Sequence, residues 1–346
     1  MTAPPGFTTR DGYAFPMALA AIVIITLIVG MAASQVERAI ETYTRQTEAF
    51  DRNVEARSAE QTFLYHALTS PMGDHGVEIG GISAIDRLFA STNTPAGDDV
   101  IVLLGNGEPR AYGNGLVIRY IDQQSFFNMS ALGAVSGNNR MTALGVPQVR
   151  WTSLRAALQD YQDDNTVRSP GGAEAPYYDR PGLPPNRPLL SPLEICRVRG
   201  WKEESLCQDP DHLLLRAMPR GTAQLNPHLA SIPFLLDLTG SRAGAERAQA
   251  AFEDRTYNLF ANVGQAELDN SSDLLDVPTQ ATGRFALVVQ DRSAQSAWLS
   301  VYELTPQNLR APFSLAYRYR IGGPYVRDAL GISPDEPIQP LPEAGR

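Results

Sequence analysis

The first strong pattern along the chain is an unbroken apolar run followed by a spaced one. From Gly12 to Val36 no charged residue occurs, and residues 13–33 read YAFPMALAAIVIITLIVGMAA. About 20 apolar residues in a helix rising about 1.5 Å each cross a hydrocarbon core of about 30 Å. Beyond the run, apolar positions step by four and three: Val36, Ile40, Tyr43, Thr47, Phe50 and Val54, with Arg38, Arg45, Glu48 and Arg52 between them. That spacing makes one apolar seam on a continuing helix, weak only at Thr47. No proline follows until Pro71. The pattern predicts a single helix from Tyr13 to Thr69, about 85 Å long at that rise. A helix of that length cannot be buried in one globular domain and has to pack lengthwise against something else.

The same run has two competing readings. Small residues Gly30, Ala32 and Ala33 suit the end of a cleaved secretory signal. Signal cores, however, run about 7–15 apolar residues after a positive region, and here only Arg10 precedes, offset by Asp11. A plain signal anchor is the other alternative.

After Pro71-Met72-Gly73 the helical period stops. Residues 100–104 (VIVLL) and 116–121 (LVIRYI) read as strands joined by a loop containing Gly105-Asn106-Gly107. Residues 284–290 (RFALVVQ), 297–304 (AWLSVYEL) and 313–321 (FSLAYRYRI) read as three antiparallel strands with one wet face. Between the two blocks, residues 126–278 carry short helices with capped starts. Ser191-Pro192-Leu193-Glu194 is a capping-box candidate closing at Gly200, Asn226-Pro227 opens another helix, and residues 242–258 form a third. The fold class expected is α+β: a long N-terminal helix, transmembrane over about residues 13–35, then an antiparallel-sheet domain with a large helical insertion. The sheet domain is split into residues 70–125 and 279–330. Prolines 334, 337, 340 and 342 predict a disordered tail over residues 331–346.

Composition narrows the function. The 346 residues are 43% hydrophobic and 19% charged, enough for a core. A net charge of −9 argues against nucleic acid, whose phosphates need clustered Lys and Arg. The Asn226-Pro227 region resembles a helix-hairpin-helix, but Pro227-His228-Leu229-Ala230 lacks the basic loop a DNA contact needs. No GxSxG, Walker A or HExxH motif occurs, and the histidines lack metal-helix spacing, so nothing here marks an enzyme.

Arg10-Asp11-Gly12-Tyr13-Ala14-Phe15, opening a long apolar helix with an amphipathic second half, resembles a type IV pilin-class N-terminus. That resemblance implies cleavage between Gly12 and Tyr13 by a prepilin peptidase, with residues 1–12 as leader and methylation of the new N-terminus. It also supplies the orientation, because Arg38, Arg45 and Arg52 outnumber Arg10 and the positive-inside rule alone would not predict export. Three further stretches are similar to the large minor pseudopilin (GspK) family of type II secretion: residues 120–129 (YIDQQSFFNM), residues 160–200 ending in SPLEICRVRG, and Gln224-Leu225-Asn226-Pro227. Met129 and Ser130 depart from the family's usual leucine and asparagine.

The resemblance implies a subunit in the bacterial inner membrane, single-pass, with its globular part in the periplasm. Its role there is at the tip of the pseudopilus, and it is not an enzyme. The implied partners are other minor pseudopilins, met through Val36, Ile40, Tyr43, Phe50 and Val54, together with the prepilin peptidase and membrane lipid. A minor pilin of a type IV pilus and a signal-anchored periplasmic enzyme or sensor are the alternatives. Met17 is the fifth residue of the mature chain, where shaft subunits carry glutamate; an apolar residue suits a subunit with no neighbour ahead of it. In an oxidising periplasm Cys196 and Cys207 are expected to pair; the alternative is a buried apolar Cys196. Asp160, Asp163, Asp164 and Glu174 are candidate calcium ligands, since a hard cation needs about 6–8 oxygens. By spacing alone they read as a solvated acidic loop; calcium in family members raises the metal reading beside it. No other cofactor is required.

Overall fold

The computed structural model describes residues 14–73, 75–80, 100–113, 115–133, 141, 144–221, 229, 281–292, 296–308, 310–322 and 337–344. Helix α1 (Ala14–Thr69) is 56 residues long. Its only proline, Pro16, sits in the first turn, where no intrahelical N–H partner is lost. Pro71 disfavours helical backbone at Ser70 and ends it, and the Ser70 N–H closes the last turn on the His66 carbonyl at 2.9 Å. The Gly12–Tyr13 cleavage position and the helices expected at Asn226 and over residues 242–258 lie outside the described residues.

The chain divides into two compact units, Met1–Arg57 and Ser58–Arg346. In the second, strands β1 (Gly76–Ile79) and β2 (Ile101–Leu104) form an antiparallel pair. The main sheet has the order β3-β4-β7-β8-β9, built from β3 (Asn106–Tyr112), β4 (Leu116–Asp122), β7 (Arg284–Asp291), β8 (Ser296–Leu304) and β9 (Phe313–Gly322). Strands β4 and β7, 162 residues apart at their nearest in sequence (284 − 122), pair antiparallel from Leu116↔Asp291 to Asp122↔Phe285. The two strand-rich blocks therefore share one sheet. The loop expected between residues 104 and 116 instead holds β3, so β2 and β4 are not partners; β2 belongs to the smaller sheet.

Between β4 and β7 the described residues contain β5 (Phe127–Asn128), α2 (Trp151–Gln162), α3 (Pro210–Arg216) and β6 (Ala217–Met218). Strands β5 and β6 pair in parallel, and much of the rest is 3-10 turns. The stretch expected as a helix to Gly200 is a 3-10 helix, Pro192–Arg197. Ser191 caps it by accepting from the Leu193 N–H at 3.3 Å. Glu194 does not reach back as a capping box requires. Its carboxylate takes both Arg187 guanidinium nitrogens (2.9 and 3.2 Å), the Leu190 N–H (2.8 Å) and the Tyr161 hydroxyl (3.2 Å).

No wet face is left on β7: Phe285 through Gln290 are all buried. On one side Ala286 and Val288 pack with Leu299, Val301 and Ile321 against Leu214, Leu215 and Met218 of the inserted segment. On the other, Phe285 meets Phe63 of α1 edge-on at 5.4 Å between ring centroids, and Tyr120 of β4 at 5.3 Å. The covering turns of α1 bury Ala59, Phe63, Leu64 and Ala67, an i, i+4 stripe. Glu60 lies within that stripe and is fully buried. Its carboxylate accepts from Ser300 Oγ at 2.7 Å and Tyr302 OH at 2.9 Å, with the Arg318 guanidinium at 3.5 Å. Arg318 in turn stacks over the Trp298 ring at 4.5 Å.

The proline-bearing tail is ordered where described. The Ala111 N–H donates to Gln339 O and the Leu341 N–H to Ala111 O, each at 2.8 Å, and Leu341 is buried. Disorder inferred from proline content is thus wrong for residues 337–344.

Removing one side of a buried ion pair leaves the other uncompensated. Glu60→Ala should therefore lower unfolding stability by about 3 kcal/mol, and Glu60→Gln by less because its amide oxygen keeps an acceptor for one of the Ser300 and Tyr302 hydroxyls. Denaturant unfolding of the full chain in detergent tests this; a Glu60→Ala loss under about 0.5 kcal/mol would contradict it.

Candidate functional site

The first half of α1 carries apolar side chains that are exposed among the described residues, from Phe15 to Met31. Among the described residues this is the one helix long and apolar enough to cross a membrane. The following seam is bare as well: Val36, Ile40, Tyr43, Phe50 and Val54 are each at least 49% exposed. Around it the polar side chains pair along the helix. Glu41 and Arg45 lie 3.5 Å apart, and Thr42 and Thr47 donate to the carbonyls of Arg38 and Tyr43. Met17 is 73% exposed.

Cys196 and Cys207 are joined by a disulfide, 11 residues apart in sequence. It ties the Pro192–Arg197 turn to the segment before α3, beside the fully buried Trp201, whose ring N–H donates to the Leu154 carbonyl at 2.9 Å. A loop of that size contributes on the order of 2–3 kcal/mol by restricting the unfolded chain.

The four acidic candidates are not brought together as a set. Asp160 is fully buried at the end of α2, and both of its oxygens face the Ser169 N–H at 3.1 and 3.2 Å. Gly172 is required beside it, because a Cβ there would lie 2.1 Å from Asp160 Oδ2. Asp163 accepts from the Asn165 N–H at 3.3 Å, and Asp164 is exposed. Burial raises the pKa of Glu174, and the charges of Asp160 and Asp163 raise it further. Its Oε1 is buried without a hydrogen-bond partner. No group of three or more His, Cys, Asp or Glu among the described residues is placed to hold a metal. The fit to calcium is thus limited to Glu174 with Asp160 and Asp163 near it.

A cavity of about 400 Å³ opens beside α2, lined by Arg150, Ser153, Leu154, Arg168, Tyr177 and Arg199 among others. Arg168 and Arg199 stack on the Tyr177 ring at 4.6 and 4.8 Å. No carboxylate, histidine or cysteine is among the described residues lining it.

Two buried carboxylates, Glu60 and Asp122, hold packing roles that the sequence reading did not assign to them. Glu60 was detectable as a charge inside the Ala59, Phe63, Leu64, Ala67 stripe. Asp122 sits at the end of β4 as N-cap of the 3-10 turn Gln123–Ser125, accepting from the Gln124 N–H at 3.0 Å. It also accepts from the Thr282 N–H at 2.7 Å, with the Thr282 hydroxyl 3.0 and 3.1 Å from its two oxygens. Asp122 therefore pins the chain entering β7 to the chain leaving β4. Gly105 is the close approach that permits this: its carbonyl accepts the Asp122 N–H at 2.8 Å, and a Cβ on it would press on Asp122 Cβ at 3.2 Å and Leu229 at 2.8 Å.

No family model matches the sequence, and no curated protein matches it. Among solved structures it is similar to the GspK-GspI-GspJ complex from the enterotoxigenic Escherichia coli type 2 secretion system. Identity is 16%, covering 80% of this chain and 100% of that one, with a TM-score of 0.46. The function proposed for this chain rests on its own residues.

Burial pushes the Asp122 carboxyl up from 3.8 to about 7, against the lowering effect of its hydrogen bonds. Between those values the folded chain holds a proton that the unfolded chain releases, so stability falls as pH rises through this window and levels off above it. The ceiling on that contribution is on the order of 4 kcal/mol. Asp122→Asn keeps an acceptor but cannot ionise, and it should flatten the profile between pH 4 and pH 7. Denaturant unfolding across that range checks it; an unchanged slope would show that Asp122 is not the group responsible.

Proposed function

We propose that this chain is a minor pseudopilin, placed at the tip of a type II secretion pseudopilus and serving to start or cap the filament. The observation that carries the reading is α1. Its first half presents apolar side chains on all sides to a medium that must be hydrocarbon. Its second half presents one apolar seam to neighbours that must be helices. Lipid satisfies the first requirement across about 30 Å, and the helices of other minor pseudopilins satisfy the second by seam packing. The chain is then a single-pass inner-membrane protein with the residues after α1's apolar half in the periplasm. It acts by assembly and has no catalytic role.

Met17 supports the tip position. An ionised carboxylate in the membrane costs about 2.5–3.5 kcal/mol without a partner. A shaft subunit repays that cost on the N-terminal amine of its neighbour, whereas a tip subunit has no neighbour ahead. An apolar residue there avoids an unpaired charge, and the bulk of residues 126–278 is hard to repeat along a close-packed filament. The expected outcome is a mature N-terminus at Tyr13, lost in Gly12→Ala, and gold labelling confined to one end of isolated filaments. A mature N-terminus near Ser34, or label along the whole length, would refute the assignment.

Calcium binding is a second reading, favoured by the unpartnered buried Glu174 Oε1 beside Asp160 and Asp163. Those residues would hold the ion, whose charge would stabilise their carboxylates. A ligand at 100-fold its dissociation constant raises stability by about 2.7 kcal/mol. Melting of the full chain should then occur at higher temperature in calcium than in chelator, and Glu174→Gln should remove the difference. Equal melting temperatures would dispose of the site.

A further inference from the structure

Strand β3 is an edge of the main sheet, and the segment that covers it is the chain's own C-terminus. Pairing is parallel and centred on Ala111↔Pro340. Ala111 donates to Gln339 O and accepts from the Leu341 N–H, so Gln339 and Leu341 turn their backbone groups toward β3 while Pro340 turns its own away. The side chains add recognition. Arg110, held by the Val102 carbonyl at 3.1 Å and by Glu108 at 3.3 Å, donates to the Gln339 side-chain carbonyl. Leu341 is 6% exposed. Pro342 O lies 2.9 Å from His66 Nε2; a carbonyl only accepts, so this nitrogen carries the proton.

The prolines now have a positional meaning. In a strand paired on one side, alternate residues offer N–H groups outward, where a further strand would add. Pro340 occupies such a place and has no N–H to offer. Pro342, two residues on, has none either. The segment thus pairs inward through Gln339 and Leu341 and stops the sheet from growing outward.

We propose that the β3 edge is a peptide-acceptor site for an extended Gln-Pro-Leu-Pro segment, with Arg110, Ala111 and His66 as its recognition groups. The resident ligand is the C-terminal segment of the same chain, which can be displaced and supplied in trans. Capture rests on main-chain pairing with a pocket for one apolar side chain, the mode of strand addition at sheet edges.

The test uses the full chain in detergent and follows amide hydrogen exchange. Leu341→Glu, and separately a chain ending at Ile338, should speed exchange at Ala111 about tenfold, as expected for losing a hydrogen bond, while Val288 in β7 stays protected. A synthetic peptide of residues 337–344 should then restore protection at Ala111, and the same peptide carrying Leu341→Glu should not. Unchanged Ala111 exchange in both variants would overturn the proposal, as would failure of the peptide to restore protection. If both variants also lose protection at Val288, the tail is part of the core, not a displaceable ligand, and the proposal falls.

Discussion

The architecture depends on burying both faces of a central strand that a long polar-tipped helix must cover. β7 lies between β4 and β8 with α1 on one face and the inserted segment on the other. Apolar contact alone would let α1 slide along that face, since hydrophobic attraction has no direction. The Glu60 carboxylate supplies direction. It accepts from Ser300 and Tyr302 of β8 and faces Arg318 of β9, so one helical register satisfies the charge. A buried ion pair is poor evidence for stability in itself. Here it specifies where on the helix the sheet docks, and so how much of α1 remains bare.

The opposite face is fastened by different means. Ser191 and the Tyr319 hydroxyl lie 2.8 Å apart, and the β9 end donates from the Gly322 N–H to Asp211 of α3 at 2.9 Å. Asp122 closes the point where the chain leaves the sheet and where it returns. Its protonated form also resolves a donor problem. The Thr282 hydroxyl has one proton and lies 2.9 Å from the Arg284 carbonyl as well as beside both Asp122 oxygens. If Asp122 donates to Thr282, Thr282 is free to donate to Arg284, and no buried oxygens face each other without a proton between them. Below pH about 7 the junction between sheet and insertion is thus a neutral hydrogen-bond chain, where the α1 junction sets Glu60 against Arg318.

Legibility followed locality. α1 could be read to its end at Thr69 because its signal, apolar spacing and absence of proline after the first turn, repeats over many turns. β7, β8 and β9 could be read because Val, Leu, Tyr and Trp dominate them. β3 reads NGEPRAY, which lacks strand composition, and β1 reads GVEI, whose Val and Ile suit a strand but span only four residues; each is completed by a neighbour's backbone groups. β3 even carries Pro109, tolerated beside the register shift between Asn106 and Pro109. In the insertion the Ser191 cap was legible, but Glu194 was not. Its spacing matches a capping box, and Arg187 claims it from a loop that no local rule connects to it. The acidic candidates fared similarly: Asp160 is committed to the Ser169 backbone, a choice that depends on a close approach by Gly172.

The tail shows why composition misleads where geometry decides. Proline enrichment signals disorder because proline removes donors and breaks regular structure. A strand at the margin of a sheet needs donors on one side only. With Gln339 and Leu341 facing β3, a proline between them costs no bond to the sheet, and its fixed φ reduces the entropy lost on docking. The same residue that argues against a central strand is thus favourable in the outermost one. Phase relative to β3 settles the matter: shifted by one residue, Pro340 would stand where the Leu341 N–H meets the Ala111 carbonyl, and the pairing would fail. Order in this segment comes from that one-residue register, which no property of the tail's own sequence encodes without the edge it lies against.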